Sequence, residues 1–144
     1  MSYLQLPIIT HPFTTAAYRP MERLNMDYVG PMPKDEYNNE YILVIIDTFT
    51  RAVGLYPVSN ANGINSARSL LHFMGYFGCP SQIVSDRGSH FVNEIIEEFM
   101  ILMGTNHKLT LSYSKEENAM VENANKRIQE YLREIMFERR IIKQ

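Results

Sequence analysis

An uninterrupted aliphatic run, Ile42 to Ile46, constrains the fold of this chain more than any other feature. The run is far shorter than the ~20 apolar residues that a membrane-spanning helix needs. A polar turn over Lys34 to Asn39 precedes it, so Tyr41 to Ile46 is predicted to be a fully buried strand. A strand of this kind lies inside a sheet, and the flanking segments must supply its neighbours.

Strands and helices are predicted to follow one another around this strand. Leu24 to Val29 forms a strand that ends at Gly30-Pro31, and Ala52 to Val58 completes an antiparallel meander. The later segments are predicted, in chain order, as a helix over 64–77, a strand over 82–85, a helix between Asn93 and Gly104, a strand over 107–111 and a helix over about 119–137. With 144 residues, this order predicts one α/β domain.

Two details of the helical regions are specific enough to be checked. Apolar residues at positions 64, 67, 71 and 74 keep helical spacing, with Asn62 as N-cap and Gly78 as a stop signal. The second helix is expected to bury Ile96, Phe99, Met100 and Met103. The single cysteine, Cys79, excludes an internal disulfide and is expected to be a small buried packing residue.

Three acidic residues stand where such elements hold them rigidly. Asp27 lies inside the first strand, Asp86 ends the 82–85 strand, and Glu122 lies on the final helix. Mg²⁺ prefers oxygen ligands, and two such ions about 3.5–4 Å apart stabilise both the attacking and the leaving oxygen of a phosphoryl displacement. The acids therefore predict a metal site that cuts or joins nucleic acid, although the thirty-five residues between Asp86 and Glu122 are a spacing that chance also supplies.

Asp47 is an alternative ligand, because it also follows an apolar strand. It leads into Thr48-Phe49-Thr50-Arg51, a natural turn, which favours a turn-capping role or a pair with Arg51. Asp27 is the stronger candidate, since an acid inside a strand is costly unless it is paired or bound to metal.

Three segments of the chain resemble the catalytic core of retrovirus-like integrases: Tyr41–Arg51, Phe77–Phe91 and Met120–Lys126. The likeness is strongest to integrases of gypsy-class long-terminal-repeat retrotransposons, self-synthesising DNA transposons and virophages, and it covers about residues 21–140. The resemblance implies an RNase H-like fold with a five-stranded mixed sheet flanked by helices. It also implies a polynucleotidyl transferase that uses two Mg²⁺ or Mn²⁺ ions, with Asp27, Asp86 and Glu122 on the three metal-binding positions.

The final helix carries candidate DNA contacts. Asn125 and Lys126 stand one turn beyond Glu122, and Gln129 continues the same face. The resemblance implies that this face contacts DNA ends, with Lys126 acting as a charge on phosphate. From the residues alone, a solvated face with a Glu–Lys pair is the alternative.

The segment after Asp86 is also predicted to contact DNA. Ser89 and His90 follow Gly88, which permits close approach of the backbone to phosphates. His90 is interpreted as a DNA contact or a packing residue and not as a general base, because metal-bound water already has a lowered pKa.

Charge and length shape the expected partners. A net charge of −2 lacks the basic excess of a protein that grips DNA by charge alone, and the basic residues are local, with six Lys or Arg against three Glu in 126–143. The resemblance implies separate zinc-binding and DNA-binding modules, so the chain is interpreted as an excised core, with a linker over 1–20 and the catalytic domain over 21–144. Expected partners are double-stranded DNA, from element ends and target, and further copies of the chain in a homodimer or higher multimer. No membrane partner is expected, and the expected location is intracellular, in the nucleus or an element nucleoprotein complex.

Two other functions stay open at this point. A nuclease of the RNase H-like superfamily would use the same acids to hydrolyse nucleic acid without joining it. A non-catalytic domesticated core would keep the fold for protein assembly alone.

Overall fold

A computed structural model describes residues 17–110 and five helical positions further along, Lys126, Arg127, Glu130, Tyr131 and Glu134. Most of the predicted linker over 1–20 lies outside these residues, as does most of the predicted final helix. Over the part that is described, no helix combines the length and the apolar character needed to cross a bilayer.

The sheet has five strands in the order β3-β2-β1-β4-β5. Their bounds are β1 Arg23–Val29, β2 Tyr41–Asp47, β3 Val53–Val58, β4 Gln82–Ser85 and β5 Asn106–Leu109. The first three strands form the predicted antiparallel meander, whereas β4 pairs parallel to β1 and β5 parallel to β4. The prediction of a five-stranded mixed sheet is confirmed.

The aliphatic run occupies β2 and is buried on both faces. Leu43 and Ile45 join the larger core beneath the helices, and Val44 and Ile46 join a second cluster with Val29 on the opposite face. Because successive side chains of a strand point to opposite faces, one unbroken aliphatic segment supplies both clusters. The buried strand predicted from the sequence is therefore present.

Two helices cover the first face of the sheet, α1 over Gly63–Phe77 and α2 over Glu94–Met103. The predicted N-cap of α1 is formed, since the Asn62 side chain accepts the N–H of Asn65 at 2.9 Å. Asn93 caps α2 in the same way and accepts the N–H of Ile96 at 2.9 Å. Gly104 ends α2 in the left-handed conformation, with φ of 66°. Local capping chemistry thus sets where both helices begin and where α2 ends.

The apolar spacing in α1 identified the helix but only part of the face that it buries, since Met74 is buried and Ala67 packs against the core. Ile64 and Leu71 are 48% and 53% exposed, whereas Leu70 and Phe73 are buried. A Cβ added to Gly54 of β3 would lie 2.7 Å from the Phe73 ring, so that ring packs directly on the glycine. The fit of one ring onto a bare backbone sets the rotation of the helix on the sheet.

The expectation that Cys79 is buried is wrong. Cys79 is exposed in the connection between α1 and β4, and the neighbouring Pro80 is the buried residue. Connections run over the surface because their backbone groups need water, so chain position outweighs the general preference of cysteine for the interior.

Candidate metal centre

Two of the three predicted metal ligands stand at the carboxyl ends of neighbouring parallel strands. The β1–β4 pairing aligns Arg23 with Gln82 and ends where Asn25 pairs with Val84. Asp27 and Asp86 each lie two residues beyond that last pair, and they are close enough for the charge of Asp86 to act on Asp27. Paired strands lie ≈ 4.8 Å apart, and residues in register point to the same face. The fold therefore brings these two carboxylates together at the edge where α/β sheets usually form their sites.

The electrostatics of Asp27 reflect this pairing. Its pKa is raised from 3.8 to about 6, chiefly because the carboxyl is buried and secondly because the charge of Asp86 is near. The N–H of Tyr28, which donates to Asp27 Oδ1 at 2.9 Å, opposes the shift. Two facing carboxylates of this kind favour a proton or a cation between them.

Asp86 begins a tight loop that is held by its own backbone. The N–H of Gly88 donates to Asp86 Oδ1 at 2.8 Å, and the N–H groups of Phe91 and Val92 both donate to the Gly88 carbonyl at 2.9 Å. A Cβ at Gly88 would lie 2.4 Å from Cε1 of His90, so the imidazole ring requires a glycine there. The carboxylate of Asp86 is therefore tied to the position of the ring that follows it.

His90 packs inside this loop. Its ring meets Tyr28 and Phe91 edge-on, at centroid distances of 5.0 and 4.3 Å. Its Nε2 lies 3.6 Å from Asp86 Oδ1 and, within the described residues, makes no hydrogen bond. These contacts agree with the packing role considered for His90, and its contact with DNA stays a prediction. Ser89 beside it is exposed.

Asp47 has the turn-capping role. Although it is only 2% exposed, Oδ2 accepts the N–H of Met21 at 3.1 Å and the hydroxyl of Thr50 at 2.9 Å, and Oδ1 accepts the N–H of Phe49 at 3.1 Å. It pairs with Leu24, toward the end of β1 away from Asp27. The fold thus separates Asp47 from Asp86.

The other predicted site residues belong to the predicted final helix. Glu122, Asn125 and Gln129 lie outside the described residues, while Lys126 is helical and exposed. Across residues 17–110 and the five helical positions, no three His, Cys, Asp or Glu side chains are grouped closely enough to hold a metal ion. The carboxylates of Asp27 and Asp86 are the kind of oxygen donor that suits Mg²⁺ or Mn²⁺.

Sequence reasoning missed two residues beside the centre, Tyr28 and Ser66. The Tyr28 hydroxyl lies 2.8 Å from Ser66 Oγ, and Ser66 Oγ also lies 3.1 Å from the carbonyl oxygen of His90. Strand alternation places Tyr28 on the face opposite Asp27, which was readable from the sequence. No local pattern links Tyr28 to a serine on α1, so nothing in the sequence indicated that Ser66 lies near the site.

Comparisons with known proteins agree with this geometry. A family model described as "Integrase core domain" matches residues 17–115. The chain is 30% identical over 121 residues to the Gag-Pol polyprotein of woolly monkey sarcoma virus, an alignment that covers 83% of this chain. It is 24% identical over 113 residues to the retrovirus-related Pol polyprotein from transposon 412 of Drosophila melanogaster, covering 78% of this chain.

A solved structure shares the fold. The HTLV-2 integrase catalytic core domain in complex with magnesium, in its dimeric form, superposes with a TM-score of 0.68 at 20% identity, covering 85% of this chain and 77% of that one. The RNase H-like fold implied by the sequence is thereby confirmed. The chain spans only 7% of the woolly monkey sarcoma virus polyprotein and 9% of the transposon 412 polyprotein.

Proposed function

This chain belongs to the integrase core domain family, and we propose that it is the catalytic core of an integrase that trims DNA ends and joins them to target DNA. The observation that carries the proposal is the proximity of Asp27 in β1 to Asp86 after β4, which is close enough for the charge of Asp86 to raise the pKa of Asp27. The raised pKa of Asp27 supports it, because burial and the nearby charge of Asp86 both disfavour a lone carboxylate, and a bound cation would offset both effects.

In the proposed site, Asp27, Asp86 and Glu122 would hold the cations through their carboxylate oxygens. When bound, a pair of Mg²⁺ or Mn²⁺ ions supplies charge stabilisation to the attacking and the leaving oxygen of a phosphoryl displacement. Asp27 in β1 and Asp86 after β4 place two of these carboxylates on separate parts of the sheet, and no covalent enzyme intermediate is needed. Water attack trims the element end, and the freed 3′-hydroxyl then attacks target DNA.

The proposed substrate is double-stranded DNA, both element end and target. Lys126 is exposed and helical, which supports its role as a phosphate contact, and Asn125 and Gln129 are proposed to extend that surface. Ser89 and His90 are proposed to contact DNA beside Asp86. The dimeric form of the HTLV-2 core supports a homodimer or higher multimer, and the proposed place of action is the nucleus or a nucleoprotein complex with element DNA.

The test is a strand-transfer assay with oligonucleotides that mimic element ends, using Glu122→Gln. We expect the variant to lose joining of ends to target DNA in Mg²⁺ or Mn²⁺ while its circular dichroism and melting temperature stay unchanged. Glu98→Gln is the matched control, because Glu98 is exposed on α2 and the substitution removes the same charge. Joining by Glu122→Gln at the unaltered rate would refute the assignment.

The strand-transfer assay and a calorimetric titration of metal together distinguish the other two functions. Shortened fragments without longer products, from a substrate with a recessed 3′-hydroxyl, would indicate a nuclease that does not join. No metal binding by calorimetry, together with tight self-association, would indicate a core that acts only in protein assembly.

A further inference from the structure

We propose that Tyr28 and Ser66 are positioning residues that hold the loop Asp86–Phe91 against β1 and α1, and so fix the carboxylate of Asp86 beside that of Asp27. The inference rests on the proposed function, since the spacing of the two carboxylates matters only if both bind cations. The contacts of Tyr28 and Ser66 lie on the helix-covered face of the sheet, opposite the face that carries the two carboxylates.

The first contact is a buried hydrogen-bond junction at Ser66. This residue is 0% exposed on α1, and its Oγ lies 2.7 Å from the carbonyl oxygen of Asn62, 3.1 Å from that of His90 and 2.8 Å from the Tyr28 hydroxyl. Carbonyl oxygens only accept, so the serine donates its one proton to them and Tyr28 donates to the serine. One buried oxygen therefore connects β1, the start of α1 and the loop.

The second contact is aromatic. The Tyr28 ring stacks on Phe91 at a centroid distance of 5.3 Å and an interplanar angle of 18°, and it meets the His90 ring edge-on. Phe91 is fully buried in the main core. The far end of the loop is therefore anchored by ring packing as well as by the hydrogen bond at the His90 carbonyl.

These contacts reach Asp86 through a short segment. The Phe91 N–H bonds to the Gly88 carbonyl, the Gly88 N–H bonds to Asp86 Oδ1, and the His90 ring fills the space above Gly88. A shift of His90 or Phe91 must therefore move the carboxylate. Tyr28 also follows Asp27 directly in β1, so their side chains point to opposite faces of the sheet. Asp27 supplies one carboxylate on one face, and Tyr28 helps to hold Asp86 from the helix-covered face.

A positioning role predicts an effect that depends on the ion. Mg²⁺ demands near-ideal octahedral geometry, whereas Ca²⁺ accepts flexible coordination at longer distances. Loosening the loop should therefore weaken Mg²⁺ binding more than Ca²⁺ binding. A general loss of stability would weaken both ions alike.

The experiment compares Tyr28→Phe and Ser66→Ala with the unaltered chain by calorimetric titration of Mg²⁺ and of Ca²⁺. We expect Mg²⁺ affinity to fall about tenfold, as it does when outer-shell partners of ligands are removed. Affinity for Ca²⁺ should change by less than about twofold. Hydrogen exchange at the Gly88, Phe91 and Val92 amides should be faster in both variants, with or without metal.

Two control variants match the chemistry removed. Ser69→Ala deletes a buried hydroxyl on the same helix, where Oγ donates to the Asn65 carbonyl at 2.8 Å. Tyr56→Phe deletes a tyrosine hydroxyl that lies 3.2 Å from His72 Nδ1. Neither control should change the ratio of Mg²⁺ to Ca²⁺ affinity or the exchange of the loop amides.

The outcomes separate this inference from the function on which it rests. If Asp27→Asn abolishes Mg²⁺ binding but Tyr28→Phe and Ser66→Ala behave like their controls, the positioning role is wrong and the proposed function stands. Equal losses for both ions, with loop amides unchanged, overturn the positioning role as well. If the unaltered chain binds no Mg²⁺ through Asp27, the proposed function fails and this inference fails with it.

Discussion

Asp27 in β1 and Asp47 in β2 lie in contrasting surroundings. Asp47, which pairs with Leu24, is 2% exposed and accepts hydrogen bonds from Met21, Phe49 and Thr50. Asp27, three residues further along β1, is less buried, accepts the N–H of Tyr28 and faces Asp86. The pKa of Asp27 is raised to about 6, chiefly by burial and secondly by the charge of Asp86. The two carboxylates thus differ in their neighbours: hydrogen-bond donors surround Asp47, whereas a second carboxylate lies near Asp27.

The largest expected difference between Asp27 and Asp47 is in their effect on strand transfer. Asp27→Asn should lower strand transfer at least about a thousandfold, because a lost ligand removes cation stabilisation worth several kcal/mol. The fold should persist, since asparagine keeps the shape and removes a charge that burial disfavours. The measurement is joining of end-mimicking DNA in Mg²⁺, with circular dichroism on the same sample. Full joining by a folded Asp27→Asn would make the two aspartates functionally equivalent.

Asp47→Asn should have its effect on stability instead. An amide NH₂ group cannot accept a hydrogen bond, so the donors at one of the two carboxylate oxygens lose their acceptor, and the bonds that remain to the amide oxygen are no longer charge-assisted. The free energy of unfolding is expected to fall by about 3 kcal/mol. Urea denaturation at neutral pH without metal would measure it. Joining per folded molecule should stay unchanged, and a stable variant that fails to join would place Asp47 in the site.

The free energy of unfolding of the metal-free protein, measured across a pH series, tests the contribution of Asp27. Asp27 has a folded pKa of about 6, above its ordinary 3.8, so between these values the folded chain holds a proton that the unfolded chain has lost. The stability contributed by that proton is present below pH 4 and is lost as the pH rises through 6. The free energy of unfolding should therefore fall by about 2 kcal/mol across this window. Asp27→Asn should lack this part of the profile, and an identical profile in both proteins would contradict the raised pKa.

The smallest effect is expected at the side-chain donor to Asp47. Thr50→Val removes the hydroxyl that lies 2.9 Å from Oδ2 and should cost about 1 kcal/mol. Thr50→Ser should restore most of that stability, because it returns the donor. Thermal melting of the three proteins is sufficient, and no loss in Thr50→Val would mean that the backbone donors alone hold the carboxylate.

Much of the fold was predictable because its signals are local. Asn62, Asn93 and Gly104 mark helix ends through bonds that reach no further than four residues. The buried face of α1 was only partly readable in this way, since it depends on Phe73 packing over Gly54 of another strand. Cys79 shows the same limit, because its exposure follows from its place in a surface connection.

For the candidate site, residue identity and placement have different origins. The amino-acid sequence by itself determined that acids stand within a strand, after a strand and along a helical pattern, since propensity and periodicity are properties of neighbouring residues. Only the tertiary structure set Asp27 against Asp86, through a parallel register between strands whose paired residues Arg23 and Gln82 are 59 positions apart. It also joined Tyr28 to Ser66 across 38 positions. Such contacts form only when packing of the whole core repays the entropy of closing the intervening chain, and no short window of sequence contains that free energy.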